Sequence, residues 1–353
     1  MLKKLLRNWA TVLYTGNLPA GEPVDGVSKW LLATRAQVFS MTVFSALIGG
    51  LLAQPKEWYQ WLLFLACVVG VMLAHAANNM LNDYFDYKAG LDTPDYARVQ
   101  YGPHPIVSGL MSERTLLRAV AVVMALDVLI GAGLTAAVWW KWGNGYWVPV
   151  FALAGLLISI FYTAEPIRLK RIALGELAVL IVWGPLMTGG TYFVTTGTLP
   201  WWVWLASLPY ALIVTTVLMG KHIDKREMDA RKGIRTVPVL LGERAARRVT
   251  QALMVLFFPL VIALTLIPAE TPWGHILPIW TLLVLIALYR LVPILRAYNA
   301  PKPAEEPEWY RRYQLWPLWF VAWAFILTRY TGATFILGLI LGWIWPQPVH
   351  LPW

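Results

Sequence analysis

Asn78-Asn79-Met80-Leu81-Asn82-Asp83-Tyr84-Phe85-Asp86, continued by Tyr87-Lys88-Ala89-Gly90-Leu91-Asp92, closes an apolar run that begins at Trp61. The run from Trp61 to Leu81 is long enough to cross a bilayer as a helix. Amides and carboxylates are costly at the mouth of such a helix, and they usually mark function there. At helical spacing Asn79, Asn82, Asp83 and Asp86 share one face. A face so dense in oxygen donors suits a hard divalent cation such as Mg²⁺. For a single Asp, a solvated acidic helix end would be explanation enough.

The rest of the chain repeats the apolar theme. Of 353 residues 58% are hydrophobic and only 14% charged, against about a quarter charged in a soluble domain. Apolar runs recur at roughly 36–53, 61–82, 116–140, 147–163, 173–196, 201–220, 250–268, 276–297 and 314–345. The expected fold is therefore an all-α, polytopic membrane bundle of nine transmembrane helices around a central cavity opening to the cytoplasmic side. The short alternating segments of a transmembrane barrel are missing. The last run is long for one span, and a break near Arg329-Tyr330-Thr331-Gly332 would make ten. Pro293 is expected to bend the eighth. Residues 1–35 form an N-terminal segment, of which 1–20 are expected to be an interfacial helix. Residues 36–346 form one transmembrane domain, and 347–353 a short tail. Cys67, the only cysteine, reads as a packing residue.

Charge orients the bundle. Lys and Arg number five before the first span, four in 83–118, three in 164–172 and nine in 221–248, while the alternate loops carry almost none. The positive-inside rule then places the N-terminus and the polar motifs in the cytoplasm. A prokaryotic inner membrane is the expected location. A tail without Lys or Arg fits the other side, which needs an odd number of spans. The net charge of +10 speaks of loop orientation and anionic membrane lipids rather than nucleic acid.

A second acidic group ends the sixth span: Lys221-His222-Ile223-Asp224-Lys225-Arg226-Glu227-Met228-Asp229, followed by Arg231-Lys232-Gly233-Ile234-Arg235-Thr236. Both groups lie at the cytoplasmic ends of even-numbered spans, and so at one depth. Opposed acids ringed by Lys and Arg suit a metal and a polyanion together, because carboxylates and phosphate oxygens can share the ion. An apolar tail on a diphosphate would run on into the bundle.

Asn82-Asp83-x-x-Asp86-x-x-x-Gly90-x-Asp92 resembles the first aspartate-rich motif of the UbiA superfamily of intramembrane prenyltransferases. Gly90 stands where that pattern usually has its last Asp, a variant similar to the branch that prenylates 1,4-dihydroxy-2-naphthoate on the way to menaquinone. Phe161-Tyr162-Thr163-Ala164-Glu165-Pro166-Ile167-Arg168-Leu169-Lys170-Arg171 resembles the family's tyrosine–lysine loop. Gly175-Glu176-Leu177 and Gly184-Pro185-Leu186 are similar to that branch's fifth helix. In the second motif the family would place aspartates at 225 and 229. Here position 225 is Lys, with Asp224 one residue early and Glu227 two late. Asp224 and Asp229 lie about 140° apart on an ideal helix, so Glu227 is an alternative to Asp224.

The resemblance implies a Mg²⁺-dependent prenyltransferase moving a polyprenyl group from an allylic polyprenyl diphosphate to an aromatic, quinone-precursor acceptor. It implies two Mg²⁺ held by Asp83, Asp86, Asp92 and Asp229, with Asp224 or Glu227, and donor contacts from Asn79 and Asn82. Arg98, Lys170, Lys221 and Arg235 are the candidates to neutralise the leaving diphosphate. Tyr162, with Tyr84 and Phe85, is a candidate wall for the allylic cation. His222 or a carboxylate is a candidate base for the acceptor, with a plain polar neighbour as the alternative for His222. A non-aromatic lipid or tetrapyrrole acceptor remains open. A cation-coupled carrier would place its charges nearer the midplane, on broken helices. Outside the motifs, Asp127 is an intramembrane carboxylate with a functional or a paired structural reading. His75 and Glu176 read as structural, and Tyr101-Gly102-Pro103-His104-Pro105-Ile106 as a rigid turn, for which the family resemblance implies a place over the active site and hence a lid.

Overall fold

The computed structural model describes residues 2–19, 21–93 and 96–346, so the expected tail 347–353 lies outside the described residues. Helices dominate, and the described residues contain no β-strand beyond two isolated bridges. In chain order the main helices are α1 (Leu2–Thr15), α2 (Gly26–Ala33), α3 (Phe39–Leu52), α4 (Trp58–Lys88), α5 (Glu113–Trp142), α6 (Trp147–Thr163), α7 (Gly175–Thr196), α8 (Trp201–Asp224), α9 (Glu243–Leu264), α10 (Ile279–Asn299) and α11 (Phe320–Ile344).

Seven of these are long and apolar enough to cross a membrane: α4, α5, α7, α8, α9, α10 and α11. The expected count of nine is therefore not reached on length and composition alone. An eighth span exists if α2 is counted with the helix after it, the two meeting at 61°. At that break Arg35 takes a left-handed conformation, with φ of 53°. The remaining candidate, α6, is apolar but has only 17 residues. A tenth span is not formed, because α11 runs unbroken through Arg329–Gly332. Its start at Phe320 also leaves 314–319 outside the helix, which removes the excess length. In α10 a tight 3-10 stretch, Ile279–Ala287, precedes an α-helical half containing Pro293.

The bundle is centred on α8, 72% of whose apolar window is buried, whereas α5 buries 11% of its own and faces outward. Association inside lipid relies on close packing rather than on exclusion of water, so small residues mark the crossings. A Cβ on Gly49 would lie 2.2 Å from the Thr188 carbonyl oxygen, one on Gly220 2.8 Å from the Val321 backbone, and one on Gly338 2.6 Å from that of Thr281. These three glycines set the approach of α3 to α7, α8 to α11 and α11 to α10. Cys67 and His75 are both packed as expected. Cys67 sits in an apolar cluster beside Thr191, and His75 lies between the Phe39 and Trp183 rings with Nδ1 2.7 Å from the Thr42 hydroxyl.

The N-terminal segment folds back on the bundle. Trp9 donates to Asp25 (3.0 Å) and Lys4 pairs with Glu22 (2.9 Å). The Asn17 amide reaches furthest, donating to the carbonyls of Tyr101 (2.8 Å) and Gln314 (2.6 Å).

Candidate active site

The C-terminal ends of α4, α6 and α8 converge on one narrow, partly open cavity of about 30 Å³. Helix C-termini carry partial negative charge, and cations gather around these: Arg35, Arg98, Lys170, Lys221 and Lys225 all line it. Asn82, Asp86, Asp92, Tyr96, Tyr101, Tyr162, Thr163 and His222 complete the wall.

Each nearby carboxylate has its own environment. Asp83, fully buried, lies behind the wall between two guanidinium groups. Arg98 donates through Nε to Oδ1 (2.9 Å) and through Nη2 to Oδ2 (2.8 Å), and Arg35 grips the same carboxylate through Nε (3.3 Å) and Nη2. Asp86 accepts from Lys170 Nζ at 2.9 Å. Burial opposes the Lys170 charge, but Asp86 outweighs it and raises the ammonium's pKa. Asp92 is buried, and its Oδ1 has no hydrogen-bond partner. Its nearest neighbour is His104 Nε2, 3.2 Å from Oδ2. His104 Nδ1 accepts the backbone N–H groups of Ile106 and Val107 (both 3.2 Å), which assigns the ring proton to Nε2. Burial would raise the Asp92 pKa, yet His104, Arg35 and Arg98 together hold it below the usual carboxylate range. The expected turn at 101–108 is thus closed on itself, and its Tyr101 and His104 stand over the acids.

On the opposite side, Tyr96 OH donates to Asp229 Oδ1 (2.6 Å) and receives from Lys225 Nζ (2.7 Å), which also lies 3.4 Å from that oxygen. Burial pushes the Asp229 pKa up, and Lys225, His222 and Tyr96 more than offset it, so it too is lowered. Lys232 donates to the Leu91 carbonyl (2.5 Å) and the Thr93 hydroxyl (3.1 Å), tying the two motif loops together. The Arg235 N–H donates to the Arg171 carbonyl (3.2 Å), which fixes the turn carrying Lys170.

The two motif segments therefore meet at one cavity, but of their acids only Asp86 and Asp92 line it, and Asp229 lies beneath Tyr96 and Lys225. Asp224 turns the other way and accepts the N–H groups of Phe320 (3.1 Å) and Val321 (3.0 Å) at the start of α11. Glu227 is exposed and pairs only with Arg226 (3.5 Å). Neither is placed to hold a metal with Asp86 and Asp92, because α8 ends at Asp224 and a new short helix, Arg226–Arg231, redirects the chain. The Arg235 side chain is exposed and does not line the cavity. Asn79 donates to the Thr34 carbonyl (2.9 Å), holding α4 against the Arg35 bend rather than facing the cavity. Asn82 does line it and accepts from Thr163 (3.1 Å). Tyr162 lines it, whereas Tyr84 and Phe85 meet edge to face and do not line it. Asp127 is half-buried beside Gly70, far from this group.

Arg35, Tyr96, Tyr101, His104 and Lys225 escaped the sequence reading as site residues. Except for Lys225 with Asp229, their partners lie far along the chain or in a loop, and no spacing rule joins them. Glu176, expected to be structural, bonds His222 Nδ1 at 2.7 Å.

Membrane helices whose ends enclose buried acids and an excess of cations define a polytopic membrane protein with a site for a metal and a polyanion. The chain belongs to the UbiA prenyltransferase family, which matches residues 42–310. It is 27% identical over 248 residues, 70% of its length and 76% of the relative's, to a 1,4-dihydroxy-2-naphthoate octaprenyltransferase of Bacillus subtilis. It is 30% identical over 219 residues to the UbiA prenyltransferase domain-containing protein 1 of Danio rerio, covering 61% of this chain and 62% of that one. Its fold matches a UbiA homologue from Aeropyrum pernix, with a TM-score of 0.60 at 18% identity over 86% of this chain and 98% of that one. It also matches an Archaeoglobus fulgidus homologue bound to DMAPP and Mg²⁺, with a TM-score of 0.53 at 15% identity over 87% and 99%.

Proposed function

We propose that this prenyltransferase moves a polyprenyl group from an allylic diphosphate to an aromatic quinone precursor of the dihydroxynaphthoate kind, with Mg²⁺ as cofactor. The observation that carries the reading is the cavity itself: acids on one wall, lysines on the other, at the mouth of an apolar bundle. The naphthoate prenyltransferase of Bacillus subtilis supports the acceptor class. The residues fit a hard cation, since Asp92 keeps its buried Oδ1 without a hydrogen bond and Asp86 lines the same cavity. Mg²⁺ bound there would supply Lewis-acid stabilisation of the departing diphosphate.

The chain's own groups do the rest. Lys170 and Lys221 present positive charge where the diphosphate accumulates negative charge as the allylic C–O bond breaks. Asn82 orients the phosphate oxygens, and Tyr162 shields the allylic carbon from water. His222, its Nδ1 held by Glu176, turns its remaining ring atoms to the cavity. It takes the acceptor's hydroxyl proton, raising electron density at the ring carbon that forms the new C–C bond. Residues 36–346 act as one catalytic unit in a prokaryotic inner membrane, with the cavity facing the cytoplasm.

The test is turnover by purified enzyme with labelled farnesyl, geranylgeranyl and longer diphosphates against a panel of acceptors, with and without Mg²⁺. A prenylated naphthoate formed only with the metal is expected. Product confined to a lipid or tetrapyrrole acceptor would replace the acceptor assignment. Cation flux in sealed vesicles with no prenylated product would replace the enzyme reading altogether.

A further inference from the structure

The two walls of the cavity differ in charge. The α4 side supplies Asn82, Asp86 and Asp92, whereas the α8 side supplies Lys221, His222 and Lys225 and no carboxylate. The acids of that second side are all turned away or covered. Asp224 serves α11, and Glu227 faces outward. Asp229 lies beneath Tyr96 and Lys225, which line the cavity while it does not. Lys225 is 3% exposed. An ammonium has three donors, and those of Lys225 meet protein acceptors only at Tyr96 and Asp229 among the described residues, leaving one N–H over. Lys221, beside it, makes no ion pair or side-chain hydrogen bond among the described residues.

A second divalent ion on this wall would meet two ammonium groups, and the one carboxylate oxygen there without a hydrogen bond, Asp229 Oδ2, is fully buried beneath Tyr96 and Lys225. We propose that the site binds its donor with a single divalent ion, on the Asp86–Asp92 wall, and that Lys225 with Lys221 contacts the diphosphate directly in place of a second ion. This rests on the diphosphate-donor reading above and departs from the two ions that the motif resemblance implies. An ammonium can do the electrostatic part of the work, because it is a compact charge with donors suited to phosphate oxygens. It also needs no acid ligands of its own, which explains why Asp224 is free to hold α11.

Ion stoichiometry tests this without turnover. The full-length protein in detergent is equilibrated with Mn²⁺ and farnesyl thiodiphosphate, an analogue that ionises poorly, and bound Mn²⁺ is counted by electron paramagnetic resonance. One Mn²⁺ per bound analogue is expected, and two would overturn the proposal while leaving the donor reading intact. Lys225→Gln keeps the size and a hydrogen-bond donor. It is expected to retain one ion and to weaken analogue binding at least tenfold at saturating Mn²⁺, whereas unchanged affinity would remove Lys225 from the site. Lys221→Gln gives the same readout without uncovering Asp229, should the first variant fail to fold. If no analogue binds at any Mn²⁺ concentration, the donor reading falls and this proposal with it.

Discussion

Asp83 and Asp86 are one helical turn apart and do different jobs. Asp83 neutralises Arg35 and Arg98 in a fully buried cluster, so Asp83→Ala strands two guanidinium groups and should lower stability by about 3–5 kcal/mol. Asp86 sits at the cavity with one lysine partner. Asp86→Ala strands only the Lys170 ammonium, so it should lower thermal stability in detergent less than Asp83→Ala does while cutting turnover at least a hundredfold. Comparable unfolding shifts in the two variants would contradict this division. Tyr101 offers a pH test. Burial raises its pKa, but Lys221, Arg98, Arg35 and Lys225 outweigh it and bring it down to about 8. Below that pH the phenol is neutral, and above it a phenolate competes with the diphosphate for the same cations. Donor KM should therefore rise above about pH 8 in the native enzyme, and that rise should disappear in Tyr101→Phe. The acids of the first motif are legible in the sequence because helical spacing gathers them locally. Arg35 and His104 are not, since each acquires meaning only through contact with Asp83 or Asp92, and Lys225 reads as a missing acid until Tyr96 is placed beside it.

The end of α8 joins the site to α11. Gly220 lets the two backbones touch, and four residues later Asp224 caps the first N–H groups of α11. Losing such a cap costs about 0.5–2 kcal/mol. Asp224→Ala should therefore lower the unfolding temperature while leaving the dependence of turnover on Mg²⁺ concentration unchanged. A shifted metal dependence would restore Asp224 to the metal site. Gly220→Leu should be worse than the cap variant, because the clash is with backbone rather than a movable side chain. Hydropathy located every one of these helices, since each is a continuous apolar run. It could not settle how many are full spans. The α2–α3 bend depends on one left-handed residue, Arg35, and α6 falls short by a turn, features that composition does not register.

Across the whole molecule, the alternation of charged and uncharged loops predicts orientation. Arg114, in the first turn of α5, and Lys56, in the loop before α4, are both exposed and are expected on opposite faces. The natural cysteine is buried, so single cysteines at these two positions can be labelled against a quiet background. In right-side-out vesicles Lys56→Cys should react with an impermeant maleimide and Arg114→Cys should not. The reverse pattern would invert the bundle and place the cavity outside. The overall architecture was readable because lipid permits so few backbone solutions. The cavity's two-sided character was not, as it depends on which way α8 releases the chain after its last turn.

Asn17 binds carbonyls from the turn over the cavity and from the approach to α11 with a single amide. The amino-terminal segment therefore works as a latch on the turn beside the cavity, and its last residue, Arg35, lines the cavity itself. A fusion partner or purification tag placed ahead of α1 is therefore expected to loosen that latch without disturbing any membrane helix.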